Sequence, residues 1–198
     1  MSEATHPALR LKPFIGYKAT NAFFQGVWGT AYVGLMTPLP PEIFSAGGIG
    51  FSLGTWLVAL GYSRLFNLSA FFRISLGVEI VALLSVLAIL IYPGGFALAA
   101  GVYLGFQLAL IFGSYLGRLE TLVVAKDKLK HLDIGKSLGA LLGLAFAAAF
   151  YQFARIWLNI DASSSLVQLI HYPLLIVQTI NVGLLLISFD RSRFNVTL

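Results

Sequence analysis

The chain contains no cysteine. Disulfides, thiolate metal sites and a cysteine nucleophile are therefore excluded, and the redox compartment is left open. Charge is scarce as well. Only 11% of the 198 residues are Asp, Glu, Lys or Arg, against roughly 25% in a soluble domain. No stretch stays polar long enough to make a separate soluble domain. The 3 histidines are far apart in sequence, so no metal site and no cofactor are expected. What is abundant is apolar side chain, at 58% of the residues. A soluble fold of this size would expose apolar patches far beyond a few hundred Å². The solvent that fits this composition is a lipid bilayer. The net charge of +5 then reads as bases held on one side of a membrane, with no nucleic-acid partner expected.

A helix needs about 20 apolar residues to cross ~30 Å of hydrocarbon. Six runs qualify, at 14–36, 47–65, 71–92, 96–117, 135–158 and 166–189. The breaks between them carry helix-stopping residues: Pro38, Pro40 and Pro41, then Asn67 and Ser69, then Pro93, Gly94 and Gly95, then Asp161 with Ser163, Ser164 and Ser165. The polar opening MSEATHPALRLKP predicts a cytoplasmic segment over 1–13 with no cleavable signal. Six spans put both termini on one side, together with the second and fourth connections. That side collects Arg10, Lys12, Lys18, Arg64, Arg73, Arg118, Lys126, Lys128, Lys130, Lys136, Arg191 and Arg193, and leaves Arg155 alone on the other. Positive charge stays inside. The expected fold is therefore all-α: a polytopic integral membrane protein with six transmembrane helices over 14–189. Both termini are cytoplasmic, 190–198 is a cytoplasmic tail, and the expected location is a bacterial inner membrane.

A polar group within a span is costly and needs a reason. Glu79, about two turns into the third run, is the clearest. It reads either as a proton, cation or substrate contact, or as a structural partner of Arg73 or Lys18 near the cytoplasmic interface. Lys18, Asn21 and Gln25 form a stripe on the first run, at i, i+3 and i+7, beside Gly26 and Gly29. The stripe lines a cavity or makes hydrogen bonds between helices, at ~0.6 kcal/mol per contact. Gln107, Gln152, and the pair Gln178 and Asn181 raise the same choice, between one polar centre and scattered links between helices. His171 stands before Pro173 without a second histidine nearby.

Two G-x-x-x-G patterns, Gly101 with Gly105 and Gly139 with Gly143, mark faces where helix backbones approach closely. Residues 50–54, GFSLG, spell G-x-S-x-G. That motif works on a strand-to-helix turn, whereas here it lies inside an apolar helix, and no enzyme is expected. One stretch concentrates charge: GRLETLVVAKDKLKHLDIGKSLGALLG, from Gly117 to Gly143. It reads as a cytoplasmic basic loop of Arg118, Lys126, Lys128, Lys130 and Lys136. Leu119, Leu122, Val123, Leu129 and Leu132 give it the option of a short interfacial helix.

An acid near the end of the fourth run (Glu120), a basic segment from Lys126 to Lys136, and a glycine-rich fifth run through Gly139 and Gly143 follow one another. With the short second connection GYSRLFNLSAFFR, this layout resembles one six-helix half of a major facilitator superfamily transporter. The second connection lacks the family's acid, and the fifth run lacks its proline. Transporters of that kind use two halves with the site between them. The resemblance implies a half-size transporter for a small solute, acting as a parallel homodimer around a central polar site. The alternative is a non-transporting subunit or assembly factor, packed against a larger membrane protein.

Overall fold

The computed structural model describes residues 6, 8–92 and 94–194. Pro93 and the outermost parts of the two terminal segments lie outside the described residues. The elements are α1 (Leu11–Met36), α2 (Pro41–Leu60), a single-turn α3 (Tyr62–Leu65), α4 (Leu68–Ile91), α5 (Phe96–Val123), α6 (Lys126–Leu158) and α7 (Ser163–Ser188), closed by a 3-10 turn over Arg191–Arg193. Among the described residues there is no β-strand, only one isolated antiparallel bridge between Leu9 and Phe189.

Five of the helices, α2, α4, α5, α6 and α7, are long and apolar enough to cross a membrane. The run at 14–36 corresponds to α1. It has the length, at 26 residues, but falls short in apolar character. Lys18, Thr20, Asn21 and Gln25 dilute it, together with Gly16, Gly26 and Gly29. The reason is its position. α1 is wrapped by α6 on one side and α7 on the other, so part of its surface faces protein rather than a hydrocarbon solvent.

The local sequence explains the ends. Pro41 sits in the first turn of α2, where its missing N–H costs nothing. Asn67 caps α4 by accepting from the Ala70 amide at 2.8 Å. Before α5, Gly94 and Gly95 have φ of 114° and 89°, a region that favours glycine. The charged stretch read as a loop is helical except at Val124 and Ala125. α5 runs on to Val123 and α6 starts at Lys126 because Leu119, Val123 and Leu132 bury themselves against the bundle. The basic residues thus ride on two helix ends.

The principal pairings are α1 with α6 and α7, α4 with α5 and α7, and α5 with α2, while α1 and α5 touch more sparsely. Exchanging α1, α2 and α4 for α5, α6 and α7 leaves this pattern unchanged. Because each set holds three long helices, the two sets run in opposite directions.

One end of the bundle gathers both terminal segments. Arg10 N donates to Ser188 O at 2.8 Å, Asp190 N donates to Ala8 O at 2.8 Å, and His6 N donates to Val123 O at 2.9 Å. The connection between α2 and α4 joins them through Tyr115 Oη, which donates to Leu65 O at 2.7 Å. Two apolar clusters fill the interior. The terminal-end cluster includes Phe14, Phe71, Tyr115, Leu119 and Phe189. The far cluster includes Phe24, Val27, Trp28, Val86 and Ile170.

Candidate functional site

A polar layer built from α1, α4 and α7 lies between the two apolar clusters, with Glu79 at its centre. Its residue is 2% exposed. An acid taken out of water must be paired or hydrogen-bonded, and Glu79 is held by hydrogen bonds. Tyr17 Oη and Asn21 Nδ2 each donate to Glu79 Oε1 at 2.6 Å. Gln178 Nε2 donates to Glu79 Oε2 at 2.7 Å and to the Glu79 carbonyl at 2.9 Å.

The layer extends in both directions. Toward α7, Asn181 Nδ2 donates to Gln178 Oε1 at 3.2 Å. Asn181 Oδ1 is buried and has no donor among the described residues. Toward the surface, Gln25 Nε2 donates to Asn21 Oδ1 at 2.7 Å. Gln25 itself is exposed. A continuous polar track therefore runs from an exposed amide on α1 to a buried carboxylate on α4 and on to α7.

Lys18 and Arg73 do not pair with Glu79. Arg73 is exposed, and Lys18 Nζ lies 2.7 Å from Glu120 Oε2 on α5. Lys136 on α6 holds the other oxygen of Glu120 and stands 3.2 Å from Asp133. Lys18 also lies 5.5 Å from the ring centres of both Phe14 and Tyr17, a favourable cation–π placement. This ionic group ties α1, α5 and α6 together on the terminal-end side of the Glu79 layer. Glu120 is its buried member, and Lys136 belongs to it rather than to a free basic surface. Arg118 packs its guanidinium over Tyr62 at 5.5 Å. Lys126 and Lys130 are exposed, and Lys128 pairs with the neighbouring Asp127 at 2.8 Å.

The structure thus joins Asn21, Gln25, Glu79, Gln178 and Asn181, and sets Lys18 apart with Glu120. Gln107 takes no part in the network among the described residues, and Gln152 is exposed on α6. Tyr17 is the residue that polarity alone passed over. It precedes Asn21 by four and Gln25 by eight, which is one helix face, so its signal was present. His171 is fully buried, with Nδ1 2.5 Å from Val167 O and its ring 5.4 Å from Trp28. No group of three or more metal-ligating His, Cys, Asp or Glu side chains occurs among the described residues.

The glycine pairs also separate. At Gly139 and Gly143 an added Cβ would run into the backbone carbonyls of Ala19 and Phe23. At Gly26 it would lie 2.6 Å from the Ala140 carbonyl oxygen. Gly105 faces Val81 and Ser85, whereas a Cβ at Gly101 meets nothing within 4 Å. Gly101 instead borders an open groove of about 330 Å³ between α4 and α5.

No family model, curated protein or solved structure matches the chain.

Proposed function

We propose that this protein is one half of a membrane transporter for a small solute, completed by a second copy of itself in parallel orientation. The observation that carries this reading is the exposed Gln25 amide at mid-height of α1, wired through Asn21 to the buried Glu79. At 1.5 Å per residue, Gln25 lies roughly 21 Å from the start of α1 and about 17 Å from its end. A lone bundle would present that amide to hydrocarbon. A second bundle turns the same face into the lining of a polar path. The exchangeable pattern of three helices and three supports this reading, because halves of major facilitator transporters carry a repeat of that kind. The clustering of both terminal segments with the α2–α4 and α5–α6 connections agrees with six spans, α1 included. Under the positive-inside rule that end faces the cytoplasm of a bacterial inner membrane.

The test begins with the mass of the protein in mild detergent. A dimer is expected, and the cysteine-free chain allows Gln25→Cys to report proximity between copies by disulfide cross-linking. Proton- or cation-driven solute uptake into vesicles is then measured for wild type and Glu79→Gln. Coupled uptake at the wild-type rate in Glu79→Gln would remove Glu79 from the mechanism.

The alternative is a non-transporting membrane subunit. It is favoured by the hydrogen bonds that hold Glu79, which link α1, α4 and α7 to one another as structural ties between helices. A larger partner that co-purifies in fixed ratio, without any homodimer, decides for this reading and against the first.

A further inference from the structure

We infer that Glu79 is a reversible proton-binding site, and that its protonation turns over the Asn21 and Gln25 amides and so changes what Gln25 offers to the polar path. This deepens the transport reading and rests on it for its purpose, but the switch itself can be measured without transport.

Three observations carry it. The first is the company that Glu79 keeps. Its carboxyl is buried, and its hydrogen-bond partners are the Tyr17 hydroxyl and the Asn21 and Gln178 amides. Lys18 on α1 acts on it through space, but the Lys18 ammonium is shared with Glu120 of α5 at 2.7 Å. On α4 itself, Arg73 is exposed. α7 carries no charged residue, and its histidine, His171, packs against Trp28. Neutral hydrogen-bond partners matter here. Protonating one member of a buried ion pair strands the other charge, whereas a hydroxyl and two amides are left with none to strand.

The second is that the chain can reverse without loss. Gln25 Nε2 donates to Asn21 Oδ1 at 2.7 Å, and Asn21 Nδ2 donates to Glu79 Oε1 at 2.6 Å. That direction fits a carboxylate, which only accepts. With one proton on Oε1, Glu79 donates to Asn21 Oδ1, and Asn21 Nδ2 donates to Gln25 Oε1. Both amides turn over and both hydrogen bonds are kept. Tyr17 still donates to Oε1 and Gln178 to Oε2, because a carboxylic acid keeps acceptor capacity. The one species gained is the proton, taken from water. The amides rotate and carry none.

The third is where the chain ends. Gln25 is exposed, so its amide turns without unpacking a neighbour. With Glu79 ionised, Gln25 directs its amino group inward and leaves its carbonyl oxygen to the path. With Glu79 protonated, it leaves the amino group. A solute thus meets an acceptor in one state and a donor in the other. The opposite arm of the layer ends on Asn181, which is fully buried and cannot signal outward.

The experiment follows both ends of the chain in the full-length protein in detergent, from about pH 4 to about pH 9. Infrared difference spectra read the protonated carboxyl of Glu79, identified by its loss in Glu79→Gln. Side-chain amide NMR reads Gln25, identified by its loss in Gln25→Leu. A carboxyl band and a Gln25 shift that share one midpoint are expected. Glu79→Gln should abolish both. Asn21→Leu should keep the carboxyl titration and lose the Gln25 shift, and it keeps the test decisive where Glu79→Gln fails to fold. A Glu79 carboxyl that never changes state across the range would overturn the switch. So would a Gln25 shift that survives in either variant, or one with a midpoint of its own. A linked titration without uptake leaves the switch standing and removes the transport reading. Uptake without a linked titration does the reverse.

Discussion

The α1–α6 and α2–α5 seams occupy equivalent places in the two exchangeable sets of helices, yet they are built differently. On the first, Gly26, Gly139 and Gly143 bring backbone against backbone. On the second, Gly47 and Gly54 are notches that receive side chains, the Tyr103 ring and Ile111. The consequence shows in burial. α1 buries eight residues, whereas α2 buries none and exposes Ile49, Leu53, Trp56 and Leu57. One seam is a fixed axle, and the other is a set of removable pegs. The same glycine content therefore yields a rigid half or a loosely attached helix, according to whether the group filling the notch is backbone or side chain.

The largest expected effect comes from the rigid seam. Gly139→Leu or Gly143→Leu should destabilise the bundle by about 3 kcal/mol or more, since a carbonyl within a helix cannot step aside. Loss of helical circular dichroism on titration with denaturing detergent measures this. A stable Gly139→Leu protein would show that the α1–α6 contact is not as close as described.

The next effect tests the pegs. Gly47→Ala should cost about 1 kcal/mol, overpacking against Tyr103 being partly offset by helix propensity. In a Tyr103→Ala background that cost should vanish, because the obstructing atoms are gone. Gly139→Ala has no such remedy, as its obstacle is the Ala19 backbone. A double-mutant cycle reads the difference directly. Absence of coupling between Gly47 and Tyr103 would erase the distinction between the two seams.

The smallest effect lies outside both seams, in the C-terminal turn. The Ser192 hydroxyl donates to Asp190 Oδ1 at 2.6 Å and holds the Asp190 pKa below its usual value. A carboxylate depressed in the folded state adds stability above its unfolded pKa of about 3.9 and loses it as pH falls through the lower folded value. Asp190→Asn should lower the neutral side slightly, leave the acid limit unchanged, and so flatten the fall between them. Unfolding midpoints between pH 2 and 7 test this.

Much of the helical frame was legible from apolar run length, because bilayer thickness sets that length directly. The ends were less so. Residues 118–134 read as a basic loop with the option of a short interfacial helix, because their charges are dense. They are helical because Leu119, Val123 and Leu132, spaced for one face on each helix, are buried. In the candidate site, polarity in an apolar chain was enough to single out Glu79, Asn21, Gln25, Gln178 and Asn181. Which of them meet was not legible, since the contacts join residues 58 to 99 apart in sequence. Lys18 was misplaced for a physical reason. It shares a face with Asn21 at i+3, but its long stem carries the ammonium down to Glu120, while the shorter reach to Glu79 falls to Tyr17. Gly101 and Gly139 begin identical spacings, and only the opposing helix tells them apart.

The position of α1 between α6 and α7 also bears on how the chain is made. α1 leaves the ribosome before either of its two principal neighbours. Until α7 emerges, Gln178 cannot reach Glu79, and residues 8–10 cannot be tied to residues 188–190. Until then Glu79 lacks the donor that α7 supplies. The arrival of α7 closes the polar layer and the latch between residues 8–10 and 188–190 together. A chain halted before α7 carries an open polar seam.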